Sequence, residues 1–220
     1  MRSPRIWKSK SFGGTMAGER RVAFFLEDSA REAIIPPLFG RLAAEAQWSE
    51  KQLDLRVLSA RGGASLRAFR GFLKDARQRG HLNADLLIVG VDANCKGFTA
   101  RRDLVLKIAG RSTTYPAVIA AIPDPHVERW YLLDTSALGK AAGTTIAACV
   151  PAYKCEKGHY KTLLRAAFAG SGIIPPLGGL EFGPLVAQHM DLFAAAKQDH
   201  GLADYIEKVR AWLKRAKSTA

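Results

Sequence analysis

One segment constrains the fold more than any other. Asp85 to Val91 (DLLIVGV) is apolar at odd and even positions alike, so a strand built from it has no face that tolerates water. Such a strand belongs in the middle of a parallel sheet covered by helices on both sides. Three further runs are strand-sized: Arg21 to Leu26 (RVAFFL) and Ala117 to Ile122 (AVIAAI), both compact and apolar, and Leu53 to Leu58 (LDLRVL), which alternates.

Helical patterns lie between these runs. Ile34, Ile35, Leu38, Phe39, Leu42 and Ala43 recur at helical spacing behind Asp28 or Ser29 as an N-cap. Pro36-Pro37 predicts a kink or a split in that helix. Ser65 to Arg79 places Leu66, Phe69 and Leu73 on one face, while Asp103 to Ala109 and His126 to Leu133 read as shorter helices. The alternation implies an α/β fold: an open, mainly parallel sheet with helices on both faces. In such sheets chemistry gathers at the carboxyl ends of the strands. The segments to watch are therefore Glu27-Asp28, Arg61-Gly62-Gly63, Asp92-Ala93-Asn94 and Asp124 to Glu128.

This α/β core is expected over residues 21–138, with a helical, basic extension over 139–220. The extension holds a basic helix or helix-loop (Lys154 to Gly170), a Gly/Pro-rich loop (172–184) and a helical stretch (185–196). It ends in an amphipathic helix around Leu202, Tyr205, Ile206, Val209 and Leu213. Residues 1–20, with Arg2, Arg5, Lys8 and Lys10, read as a basic flexible arm or as leader upstream of Met16. IIPPL occurs twice with different flanks, a coincidence rather than a repeat.

Composition narrows the class. Of 220 residues, 48% are hydrophobic and 24% charged, which excludes wholesale disorder. Thirty-three Lys and Arg against 20 Asp and Glu leave a net charge of +13. That excess points to a polyanionic partner, DNA or RNA, against the plainer alternative of a solvated basic surface. No apolar run approaches the roughly 18 residues of a membrane helix, and no apolar segment follows the basic start as in a secretory signal. Cys95, Cys149 and Cys155 show no paired spacing. No disulfide framework is expected, Cys95 reads as a buried thiol, and the cytoplasm is the expected compartment. Cys95, His126, Cys155 and His159 lack zinc-ligand spacing. There is no G-x-G-x-x-G and no P-loop, so ATP-driven work would need a partner.

Two acids directly follow apolar strands. Glu27 ends the first and Asp92 the third, with Asn94 two residues on. Hard oxygens at neighbouring strand ends suit Mg²⁺ or Mn²⁺, which neutralise charge and activate water in phosphodiester chemistry. Acids at strand ends also serve as helix caps, so spacing alone leaves both roles open. Glu32, five residues after Glu27, reads as an ordinary helix-start acid.

The arrangement resembles the Toprim fold, the catalytic core shared by topoisomerases, primases, OLD-type nucleases and small phage-defence proteins. The matching segments are FFLEDSAREAIIPPL, with Glu27, and LLIVGVDANCKG, with Asp92 and Asn94. VIAAIPDPHVERWYLLD is similar to the segment in small OLD-like members where an acid, here Glu128, precedes a W-x-L-x-D pattern, here Trp130 to Asp134. Arg61-Gly62-Gly63 is similar to their Gly-rich turn after the second strand. The likeness spans about residues 21–138.

The resemblance implies a metal-dependent nuclease acting on DNA or RNA, in bacterial phage defence beside a partner ATPase or other defence protein. Glu27 would be acid/base or metal ligand, Asp92 the principal ligand, Glu128 a further one and Asn94 part of the shell. Two departures weigh on this. Asn94 replaces the family's second Asp, and Asp28 stands where Gly is usual. A catalytically reduced module that binds nucleic acid, or a partner ATPase or toxin, is therefore the alternative. Lys96, Arg101 and Arg102 follow the acidic site, and Lys154, Lys157, Lys161 and Arg165 lie among Tyr153, His159 and Tyr160. Basic groups interleaved with aromatics suit a surface that tracks a phosphate backbone, although each alone is equally a solvated side chain. Nothing in the chain excludes a homo-oligomer.

Overall fold

The computed structural model describes residues 19–59, 65–79, 84–110, 115–147 and 151–219. Strands β1 (Arg20–Leu26), β2 (Leu53–Ser59), β3 (Leu86–Gly90) and β4 (Val118–Ala121) form one parallel sheet in the order β2-β1-β3-β4. Strand residues alternate between two apolar layers. Val22, Phe24, Leu26, Leu86 and Ile88 face one; Ala23, Phe25, Leu87 and Val89 face the other. Both sides of β3 are dry, which is why its sequence is apolar at every position.

Helix α1 (Ser29–Glu45) covers the first face, while α2 (Ser65–Arg79) and α3 (Phe98–Gly110) cover the second. The chain passes from β1 out to β2, then returns across β1 to β3 and moves on to β4. Its direction of winding therefore reverses at the β1/β3 pair. The crevice beyond the carboxyl ends of such a pair is where ligands bind in open α/β sheets.

Helix α1 is continuous across Pro36 and Pro37, which corrects the expected split into two pieces. Neither proline can donate its backbone bond. The helix nonetheless buries Ile34, Ile35, Leu38, Phe39 and Leu42 completely, and the hydroxyls of Tyr131 and Tyr205 donate to the Ala30 and Ile35 carbonyls at 3.0 and 3.2 Å. Burial and these side-chain bonds outweigh two missing rungs.

The C-terminal residues complete the first layer rather than trailing from it. Helices α4 (Glu128–Leu132), α5 (Thr135–Ala142), α6 (His159–Ala167), α7 (Gly183–His189), α8 (Leu192–Gln198) and α9 (His200–Ser218) share one apolar core with α1. Asp199 caps α9, accepting from the Leu202 amide at 2.8 Å, and its carboxylate also pairs with Arg129 and accepts from Trp130 Nε1. Burial outweighs these partners and pushes the Asp199 pKa up. Asp134, the last acid of the W-x-L-x-D pattern, caps α5 and accepts from the Asp191 amide at 2.8 Å. That pattern lies in an apolar cluster shared by residues before and after position 138.

Cys95 and Cys155 are joined in a disulfide, with Cα atoms 5.6 Å apart across 60 residues of sequence. This corrects the expectation of unpaired cysteines, and Cys95 is exposed rather than buried. Spacing rules detect pairs close in sequence; this one is made only by the fold. The Arg61-Gly62-Gly63 turn, Cys149 and nearly all of the basic arm lie outside the described residues. Among the described residues, no helix is long and apolar enough to cross a membrane.

Candidate functional site

Glu27 follows β1 directly, and its amide donates to the Gly90 carbonyl at 3.2 Å, which extends the β1/β3 register by one step. Asp92 follows β3 two residues after Gly90. Two adjacent strands thus deliver both acids to one crevice. Gly90 lets the start of α1 approach, since a Cβ there would meet Leu26 Cδ2 at 2.6 Å and Ile35 Cδ1 at 2.8 Å.

Asp28 caps α1, accepting from the Arg31 amide at 3.2 Å. This start point puts Arg31 in the first turn of α1, four residues beyond Glu27. The Arg31 side chain is 3% exposed and meets three carboxylates: Asp92 Oδ2 at 2.5 Å, Asp28 Oδ2 at 2.6 Å and Glu27 Oε2 at 3.3 Å. Asp92 and Glu27 share the same nitrogen, Nη2, so their oxygens are no farther apart than those two contacts allow. Burial alone would lower the Arg31 pKa, but Asp92, Asp28 and Glu27 together hold it above the ordinary value.

The loop after β4 supplies the remaining wall. Ala93 donates to the Pro123 carbonyl at 2.9 Å and Asn94 to that of Pro125 at 3.1 Å, tying the β3 and β4 loops together. His126 Nδ1 lies 3.1 Å from Asp92 Oδ2. That hydrogen bond is the chief cause of a raised His126 pKa; burial opposes it, and the Asp92 and Glu128 charges add to it. Glu128 is buried, with Lys161 Nζ 3.7 Å from its Oε1. Asp124 accepts from the Phe98 amide at 2.9 Å and the Tyr153 hydroxyl at 3.1 Å, so the segment before α6 reaches this rim.

The fold therefore brings Glu27, Asp92 and their shared Arg31 together, with His126 joining through Asp92. Glu128 borders the cluster near His126. Asn94 is exposed on left-handed backbone (φ 47°), followed by Cys95 at φ 62°.

The basic residues divide by environment. Arg101 is buried, with Nη2 3.4 Å from the Ala93 carbonyl, and braces the Asp92 loop from beneath. Arg102 pairs with Asp103 at 2.8 Å and lies over the Phe98 ring. Lys96, Lys154, Lys157, Lys161 and Arg165 are exposed, and Lys154 pairs with Glu156.

Sequence reasoning missed Arg31 and His126. Arg31 carried a faint signal, the four-residue spacing from Glu27 across a helix start. His126 lies in a flagged strand-end segment, but nothing local pairs it with Asp92, 34 residues earlier.

Asp92 Oδ1 is a buried acceptor without a hydrogen-bond partner, and Glu27 Oε2 is buried with only the 3.3 Å ion-pair contact to Arg31. Among the described residues, no three His, Cys, Asp or Glu side chains form a metal-holding group. Mg²⁺ asks for less, binding through one or two carboxylates and otherwise through water or substrate phosphate. In donor type and in charge, Glu27 and Asp92 fit such an ion. No family model matches the chain, and neither does any curated protein or solved structure in the comparisons made.

Proposed function

We propose that the chain is a Toprim-like, metal-assisted phosphoryl-transfer enzyme that cleaves DNA or RNA. One observation carries this reading: Glu27 and Asp92, from adjacent strand ends at the winding reversal, meet within contact of a single nitrogen of Arg31. Glu27 and Asp92 would hold Mg²⁺ or Mn²⁺, which when bound neutralises phosphate charge and activates water. Glu27, the more exposed of the two carboxylates at 16% against 8%, is placed to move a proton at the reacting oxygen. Asp92 holds its position through His126 and Arg31. Lys157, Lys161 and Arg165 supply charge that tracks the nucleic-acid backbone, in keeping with the net +13. Phage defence beside a partner ATPase is the proposed setting.

The second reading is a reduced module that binds nucleic acid, or a partner ATPase or toxin, without cleaving. The exposure of Asn94, against the burial of Asp92, favours it. The deciding experiment incubates plasmid, single-stranded DNA and RNA with the chain in Mg²⁺ or Mn²⁺, beside Glu27→Ala and Asp92→Ala. Metal-dependent cutting lost in both variants supports the enzyme. Salt-sensitive binding with no cutting by any version replaces it with the reduced module.

A further inference from the structure

The middle of the acidic site already holds a cation. Arg31 Nη2 stands 2.5 Å from Asp92 Oδ2 and 3.3 Å from Glu27 Oε2, where an ion shared by the two carboxylates would lie. We infer that Arg31 is the resident counter-charge of this site, and that a divalent cation gains Glu27 and Asp92 by displacing its guanidinium toward Asp28. The inference rests on the metal-assisted reading above and names what sets the site's affinity for metal.

The contacts support displacement over a fixed structural pair. Arg31 Nη2 is divided between Asp92 and Glu27, Nη1 goes to Asp28, and Arg31 Nε and Asp92 Oδ1 are buried without a hydrogen bond. The guanidinium is spread over three carboxylates, without the parallel bonds of a bidentate arginine-carboxylate pair. A cation that replaces it at Glu27 and Asp92 therefore breaks no bidentate pair. A guanidinium cannot give up its proton, so it must move if the site is to take another cation. Asp28 offers a place to go: its Oδ2 is 2.6 Å from Nη1, and its side chain is 52% exposed. The carboxylates of Glu27, Asp28, Asp92 and Glu128 outnumber the local cations Arg31, Lys161 and His126. The surroundings thus favour a second positive charge as Arg31 swings outward.

The test is calorimetric titration of Mn²⁺ alone into the full chain and its Arg31→Met and Arg31→Lys variants. Arg31→Met should bind Mn²⁺ more tightly, on the order of 10- to 100-fold, the scale on which groups around metal ligands tune affinity. Saturating Mn²⁺ should also raise the melting temperature of Arg31→Met more than that of the parent. Arg31→Lys keeps the charge and should stay near the parent. A folded Arg31→Met that binds no tighter overturns the inference, as does an Arg31→Lys variant as tight as Arg31→Met. If Arg31→Met does not fold, the parent's Arg31 Nε–H resonance is followed during Mg²⁺ addition. It should shift saturably, and not in Glu27→Gln; a resonance unmoved while Mg²⁺ binds overturns the displacement. Absence of Mn²⁺ binding in every variant removes the metal-assisted function as well. Equal binding by parent and Arg31→Met removes only the role of Arg31.

Discussion

His126 Nδ1 lies 3.1 Å from Asp92 Oδ2, joining the loop after β4 to the acid that follows β3. The contact raises the His126 pKa above its ordinary 6.5. A histidine raised in the folded state stabilises most when it is protonated in both states, and loses that contribution as pH rises through its folded pKa. The His126 imidazole should therefore titrate above 6.5 by NMR, and Asp92→Asn should bring the midpoint down. The stability gap between the parent and His126→Ala should narrow as pH rises above that midpoint. A midpoint at or below the ordinary value contradicts the pairing.

The disulfide from Cys95 to Cys155 closes 60 residues of chain. Chain entropy assigns a loop of this length roughly 4 kcal/mol of stabilisation. Reduction with a dithiol, or Cys95→Ser, should lower the denaturant midpoint accordingly, and the two treatments should not add. Unchanged midpoints after verified reduction would mean the bridge carries no stability.

Gly201 begins α9 against the end of β4, where a Cβ would stand 2.1 Å from the Ile122 carbonyl oxygen. Backbone cannot yield as a flexible side chain does. Gly201→Ala should cost about 1–3 kcal/mol in urea unfolding, the range for overpacking. Gly110→Ala, with open space around it, is the control that should leave stability near the parent's.

Lys157 and Arg165 are exposed on and before α6. If they contact phosphates, Lys157→Ala and Arg165→Ala should each weaken nucleic-acid binding alike for all sequences and reduce the salt slope by about one. Fluorescence anisotropy over a salt series checks this. A slope unchanged in both variants assigns backbone tracking to other residues.

The four strands and the helix that follows each of them were legible because each depends on local pattern. DLLIVGV could only be a strand dry on both faces, and Phe69 and Leu73 mark the buried side of α2 at helical spacing. The prolines inside α1 misled for the same reason, in suggesting a split. Pro36 and Pro37 report the loss of local bonds, whereas the burial and tyrosine hydroxyls that hold the helix together come from residues far along the chain.

At the site, the sequence by itself determined that Glu27 and Asp92 end apolar strands, since a strand stops where its apolar run stops. It also determined a net positive charge, a sum that needs no geometry. Only the tertiary structure decided that β1 and β3 are neighbours, that Arg31 sits between their acids, that His126 binds Asp92 and that Cys95 meets Cys155. Contacts between residues distant in sequence depend on strand order and helix placement. Those are selected by packing two apolar layers at once, which no local pattern encodes.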